Sequence, residues 1–228
     1  MIKMRNVSKI YPNGTIALDH VNVHIRKGEF VFIVGASGAG KSSFIKLLFR
    51  EELPTSGELV VNGQDVVHME HDQVPYLRRG LGVIFQDYRL LPDKTVYENV
   101  AFAMQVIEAP RRFMQRSVNT VLDIVGLRDK YRSFPSQLSG GEQQRVAIAR
   151  AIVNNPAIVI ADEPTGNLDP ETSWDIMDIF QRINKSGTTI VMATHDKSIV
   201  DTMQRRVIAI ENGHIVRDEA QGVYGYEA

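Results

Sequence analysis

The stretch "GASGAGKS", Gly35 to Ser42, has the spacing G-x-x-x-x-G-K-[ST], directly after an apolar run and directly before a helical pattern. Gly35, Gly38 and Gly40 let the backbone turn tightly, and Ala36, Ser37 and Ala39 complete a loop whose N–H groups converge with a helix N-terminus on phosphate oxygens. Lys41 adds a point charge between the β- and γ-phosphates, Ser42 a hydroxyl for Mg2+, and Ser43 follows in the same turn. An ordinary Gly-rich turn is the bland alternative, and the strand-to-helix context outweighs it.

A second chemical group stands at the end of "AIVIADE", residues 157 to 163. An apolar strand here delivers Asp162 and Glu163 to the carboxyl edge of a sheet, where ligands bind. Asp162 is expected to hold the Mg2+ shell, and Glu163 to polarise an attacking water as general base. Alone, an Asp-Glu strand end is more often a solvated edge; with the phosphate loop it reads as a nucleotide hydrolase. A third group, "LSGGEQQR" from Leu138 to Arg145, is another Gly-Gly turn before a helix. By itself it is a helix start with Ser139 as N-cap.

These groups need a frame to hold them. "EFVFIVG" (29–35), "LGVIF" (81–85), "AIVIAD" (157–162), "TTIVMAT" (188–194) and "RVIAIENG" (206–213) read as buried strands of a parallel sheet. Helical patterns alternate with them: Phe44, Leu47 and Leu48 share one face, as do Ile176, Ile179, Phe180 and Ile183. Residues 2–28 alternate as an antiparallel ribbon around "PNG", joined by "GELVVNGQDV". From about 87 to 154 no strand is expected, and helices are punctuated by Pro92, Pro110, Gly126 and Pro135. The fold class is therefore α/β, a P-loop core with an N-terminal antiparallel β-subdomain and an inserted helical subdomain. Residues 1–86 and 155–228 form the core and β-subdomain, and 87–154 the helical part. The tail "GVYGYEA" is expected to be peripheral.

Composition narrows the classes of function. Charge is balanced, 26 Lys+Arg against 27 Asp+Glu, so no global basic field points to nucleic acid or anionic lipid. The absence of cysteine excludes disulfides, thiolate metal sites and cysteine nucleophiles, and fits the cytoplasm. No apolar run has signal-peptide or membrane-span length, so a membrane role is expected to work through a partner. His68 and His71 could share a helix face, but no ligand cluster follows them.

"LSGGEQQRVAIARA" followed by "ADEPTGNLD" resembles the ATP-binding cassette (ABC) family, from about residue 3 to 219. The resemblance implies ATP hydrolysis with Mg2+ and a homodimer formed on ATP binding. It implies that Ser139, Gly140, Gly141 and Glu142 cap the γ-phosphate held by a second subunit's loop. It further implies that Tyr11 stacks on adenine, that Gln86 contacts Mg2+ or the attacking water, that Asp169 faces the partner subunit, and that His195 hydrogen-bonds the γ-phosphate. Read alone, Tyr11 is a packing residue and His195 a satisfied strand-end histidine.

"FQDYRLLPDKTVYENVAFAM", "ATHD" and "RVIAIENGHIVRDE" are similar to the branch of the family that serves cell division. That branch implies an integral membrane partner and, through it, extracellular peptidoglycan hydrolases. Cassettes for lipoprotein release and macrolide export share most of these motifs, and soluble non-transport cassettes are the alternative of another class. Tyr88, Leu90, Leu91, Tyr97 and Phe102 are expected either to form a groove beside Gln86 for a short partner helix or to fill the helical subdomain's core.

Overall fold

The computed structural model describes residues 1–225, and residues 226–228 of the tail lie outside it. Strands β1 (Ile2–Ile10) and β2 (Ile16–Ile25) form the antiparallel ribbon and lead into β3 (Phe30–Val34), which ends at the phosphate loop and helix α1 (Lys41–Leu48). The chain returns through β4 (Ser56–Val61) and β5 (Gln64–Asp65), completing an antiparallel sheet ordered β2-β1-β4-β5.

A short helix α2 (Val74–Arg79) precedes β6 (Leu81–Ile84). Then come the helices α3 (Val96–Gln105), α4 (Arg111–Ile124) and α5 (Gly140–Ile152). Strand β7 (Ile158–Asp162), helix α6 (Pro170–Lys185), β8 (Thr189–Ala193), helix α7 (Lys197–Met203), β9 (Arg206–Glu211) and β10 (His214–Glu219) complete the described elements. The second sheet has the order β10-β9-β3-β8-β7-β6.

Strand β3 is buried along its whole length because both of its faces are covered. Phe30, Phe32 and Val34 enter one apolar core with helices α3 to α6, whereas Val31 and Ile33 enter another with α1 and the antiparallel sheet. Strand β7 repeats the division: Val159 and Ala161 face the first core, Ile158 and Ile160 the second. Period-two alternation thus sorts one apolar run into two cores, with the sheet as the middle of three layers. The apolar faces expected of α1 and α6 are buried, including Phe44, Leu47, Ile176 and Phe180.

Three expectations need correction. The second sheet is parallel only as far as β9, since β10 pairs antiparallel with β9 at its edge. Strand β10 is mostly solvated and polar, so it lacks the apolar run by which its neighbours are recognised. His71 lies in a short 3-10 turn and His68 in no helix; they share no helix face, and a ring nitrogen of His68 is satisfied by Asp65 at 2.9 Å. The described part of the tail is not peripheral: Gly222 donates to the carbonyl of Arg205 at 3.0 Å, and Tyr224 packs against the first core.

Candidate active site

The phosphate loop owes its shape to close backbone approaches. Gly40, the N-cap of α1, has φ 116°, and a Cβ there would stand 2.2 Å from the carbonyl oxygen of Ala17. A side chain at Gly35 would meet the carbonyl oxygen of Ile210 at 2.3 Å, so the loop is wedged between β2 and the end of β9. Lys41 is buried, and its ammonium donates to the carbonyls of Gly35 at 2.8 Å and Ala36 at 3.1 Å. An ammonium carries three N–H donors, so these two bonds orient the cation and leave its third donor for another acceptor.

Ala36, Ser37 and Gly38 are exposed around the loop, and Ala39 is buried, its carbonyl accepting from the N–H of Gly213. Ser42 is exposed at the start of α1. Ser43 behind it lies 3.0 Å from the hydroxyl of Tyr11. Lys9 stands 4.9 Å from the centre of the Tyr11 ring. The ring is therefore anchored beside α1 by its hydroxyl and is polarised by a cation.

Asp162, at the end of β7, is half-buried. Burial pushes its carboxyl pKa up, the neighbouring Glu163 pushes the same way, and Lys41 opposes them. Glu163 has φ 47°, a left-handed conformation that costs a non-glycine residue on the order of 1–3 kcal/mol. Its N–H is held by the Ala193 carbonyl at 2.9 Å, which ties the turn to the end of β8. The strained turn aims the carboxylate at His195, with Oε2 at 3.1 Å from Nδ1. The Gln86 amide nitrogen lies 3.1 Å from the position a Cβ of Gly166 would take, beside the loop that follows Glu163, and Asn167 donates to its carbonyl.

Ser139 caps α5 with a complete capping box. Its hydroxyl accepts from the Glu142 N–H at 3.2 Å, and the Glu142 carboxylate accepts from the Ser139 N–H at 2.8 Å. The Ser139 N–H, and then Lys130 at 3.4 Å, hold the Glu142 pKa down. Gly141 has an intrachain reason to be glycine: a Cβ would lie 2.4 Å from the methyl of Thr172 on α6. Gly140 faces the hydroxyl of Tyr88, which would stand 3.2 Å from a Cβ there. Asp169 caps α6 through the N–H of Thr172 at 2.9 Å, which holds its carboxyl pKa low. Among the described residues no hydrogen bond or ion pair joins Leu138–Glu142 to Gly35–Ser43.

The segment from Gln86 to β-free Lys94 contains residues whose role is invisible in the sequence. Tyr88 and Arg89 both have positive φ, 59° and 46°. Arg150 of α5 holds their carbonyls in a fork, donating to Tyr88 at 2.7 Å and Arg89 at 2.6 Å. Asn99 is wholly buried in α3, and its amide binds the N–H and carbonyl of Leu91 and the carbonyls of Lys94 and Thr95. Of the five residues expected to form a groove or fill the core, Leu90 and Tyr97 pack against the core, Tyr97 with its ring 4.7 Å from that of Tyr131. Tyr88 and Leu91 are half-buried, and Phe102 is 45% exposed.

The site thus combines a Gly-rich strand-to-helix loop, a strand-end carboxylate pair with His195 against Glu163, and a separately capped Gly-Gly helix. The family described as ABC transporter matches residues 18–166, and the chain belongs to that family as one of its ATP-hydrolysing cassettes. Among its relatives are proteins named cell division ATP-binding protein FtsE. That of Streptococcus pneumoniae serotype 2 (strain D39 / NCTC 7466) is 61% identical, the match covering 100% of this chain and 99% of the relative. That of Bacillus subtilis (strain 168) is 58% identical with 99% of each chain covered, and that of Escherichia coli (strain K12) 46% identical with 94% and 97% covered. A solved dimer of the ATP-binding cassette MJ0796 in a post-hydrolysis state, bound to ADP and Pi, superposes with a TM-score of 0.87 at 35% identity, covering 99% of this chain and 100% of that one.

Proposed function

We propose that this cassette is the ATPase subunit of an FtsEX-type complex in cell division, working as an ATP-closed homodimer that drives a conformational change in the membrane protein FtsX. Through FtsX it regulates peptidoglycan hydrolases outside the membrane. The cassette itself is peripheral, held at the cytoplasmic face through that partner; no helix among its described residues is long and apolar enough to cross a membrane. The reading rests on full-length similarity to the FtsE proteins together with one geometric observation. The helix start at Ser139 makes no polar contact with its own phosphate loop, so each chain offers two separate half-sites.

In the closed dimer, Lys41 and the loop N–H groups of one subunit bind the phosphates, and Ser139, Gly140, Gly141 and Glu142 of the other complete the site. The two residues at the start of α5 have N–H groups with no intrahelical partner, and the positive helix end favours an anion. Tyr11 takes the adenine. Glu163 accepts a proton from the attacking water, and His195 holds the carboxylate's other side while reaching the γ-phosphate. Gln86 reports the state of the γ-phosphate to the helical subdomain, residues 87–154, which moves against the rest of the chain.

A divalent cation fits this donor set: Ser42 offers an exposed hydroxyl at the start of α1, and Asp162 a half-buried carboxylate whose ionisation burial and the neighbouring Glu163 oppose. Ser42, Asp162 and Gln86 would hold Mg2+, which when bound neutralises charge on the phosphates. Asp162 must be ionised for that task, and Lys41 is the cation that helps keep it so.

FtsX docks beside Gln86, on Tyr88, Leu91 and the exposed Phe102, with Leu90 supporting them from the core side. The test is co-purification with FtsX. Tyr88→Glu and Leu91→Glu are expected to abolish it while ATP binding persists; unchanged co-purification would overturn the docking site. Failure of wild-type protein to capture FtsX would overturn the complex itself.

A further inference from the structure

The described part of the tail carries a side chain against the Gly35 end of the phosphate loop, and several hydrogen bonds hold it there. Chain ends ordinarily fray unless they are tied down. Here the N–H of Tyr224 donates to the Asp201 carboxylate at 2.6 Å, on α7. Arg217, which also binds Glu219, donates to the carbonyls of Val223 at 2.6 Å and Tyr224 at 2.9 Å. Gly222 is bonded to Arg205, and a Cβ on it would meet Val207 at 2.8 Å, so the backbone lies flat on β9.

These ties direct the Tyr224 ring to the rim of a cavity of about 600 Å³ beside the phosphate loop, shared with Gly35, Ser37, Glu211 and Asn212. The phenol hydroxyl donates to the carbonyl of Gly35 at 3.5 Å. That same carbonyl accepts from Lys41 at 2.8 Å. A carbonyl oxygen has two lone pairs, so the phenol and the ammonium can share it. Burial, and then the charge of Glu163, push the phenol pKa up, while its contact with Gly35 pulls the other way.

We propose that Tyr224 is a positioning residue of the nucleotide site: its hydroxyl steadies the Gly35 carbonyl on which Lys41 rests, so the tail sets how firmly the loop presents its lysine to phosphate. This rests on the reading that the loop binds ATP. Tyr224 acts through Gly35 and touches no reacting atom. Its anchors on α7 and β10 link loop order to the elements that follow His195.

The experiment uses the full chain and two readouts, the dissociation constant for mant-ATP without metal and the melting temperature, with KM and kcat for ATP alongside. Tyr224→Phe keeps the ring and removes the donor. It is expected to weaken mant-ATP binding and raise KM by about 2- to 3-fold, the low end for one neutral hydrogen bond because 3.5 Å is a long contact, with the melting temperature unchanged. Asp201→Ala, which releases the tail from α7, is expected to shift binding in the same direction. The double variant should be no weaker than the weaker single one, because the two act as a unit. Wild-type binding by Tyr224→Phe would overturn the proposal, as would a Tyr224→Ala variant that lowers only the melting temperature. Wild-type protein that binds no mant-ATP would instead overturn the nucleotide reading of the loop.

Discussion

Glu163 combines two demands, a strained backbone and a proton-accepting side chain. Glu163→Gln keeps the shape and removes the base, and ATP turnover is expected to fall by about 10²- to 10⁴-fold in a phosphate-release assay. Its neighbour Asp162 is ionised at a cost in stability. Because burial and Glu163 raise its pKa, the folded chain holds that proton more tightly than the unfolded chain. Stability therefore falls as pH rises from the ordinary carboxylate range through the raised value. Asp162→Asn removes this cost: at neutral pH the nucleotide-free protein should melt at a higher temperature while Mg2+-dependent hydrolysis is lost. A lower melting temperature would show that the ionised carboxylate is well compensated. The placement of Lys41 after β3 and of Asp162 and Glu163 at the end of β7 was legible in the sequence, because both follow closely on an apolar strand. The left-handed turn at Glu163 was not, since nothing in "ADEPTG" marks a glutamate for positive φ.

At the scale of elements, the Gly-Gly turn has a packing role and a proposed trans role, and the two are separable. Gly141→Ala pushes a methyl into Thr172, an overpacking that typically costs about 1–3 kcal/mol and should show in urea unfolding. Thr172→Ser removes the obstructing methyl and should restore much of that stability. If activity stays low in the rescued double variant, the turn is needed for more than packing. Asn99→Ala should destabilise by about 1–3 kcal/mol, since it strands the backbone groups of Leu91. Strands β3 and β7 announced themselves through apolar runs, as did the faces of α1 and α6. Strand β10, Asn99 and Arg150 did not. The first is a polar edge, and the other two are polar side chains serving backbone far away in sequence, which periodicity cannot reveal.

For the whole molecule, the proposed completion of each site in trans predicts that assembly follows nucleotide. Glu163→Gln should form a dimer in light scattering that persists with ATP and Mg2+ and dissociates when nucleotide is removed. A variant that stays monomeric at saturating ATP would count against completion in trans. The tail adds a lesson about reading chain ends. "GVYGYEA" has the glycines of a loose terminus, yet Tyr224 within it is placed by Arg217 and Asp201, which belong to other elements.

The fork between Arg150 and the carbonyls of Tyr88 and Arg89 turns the region beside Gln86 and the capped helix into one stiff crank. In the proposed complex, a push on Tyr88 would be carried through this grip into α5, and so toward Ser139 at its start. Arg150→Lys would replace a planar two-point grip with a single swivelling one. If FtsX is the partner as proposed, the ratio of FtsX-stimulated to basal hydrolysis is expected to drop while basal hydrolysis persists.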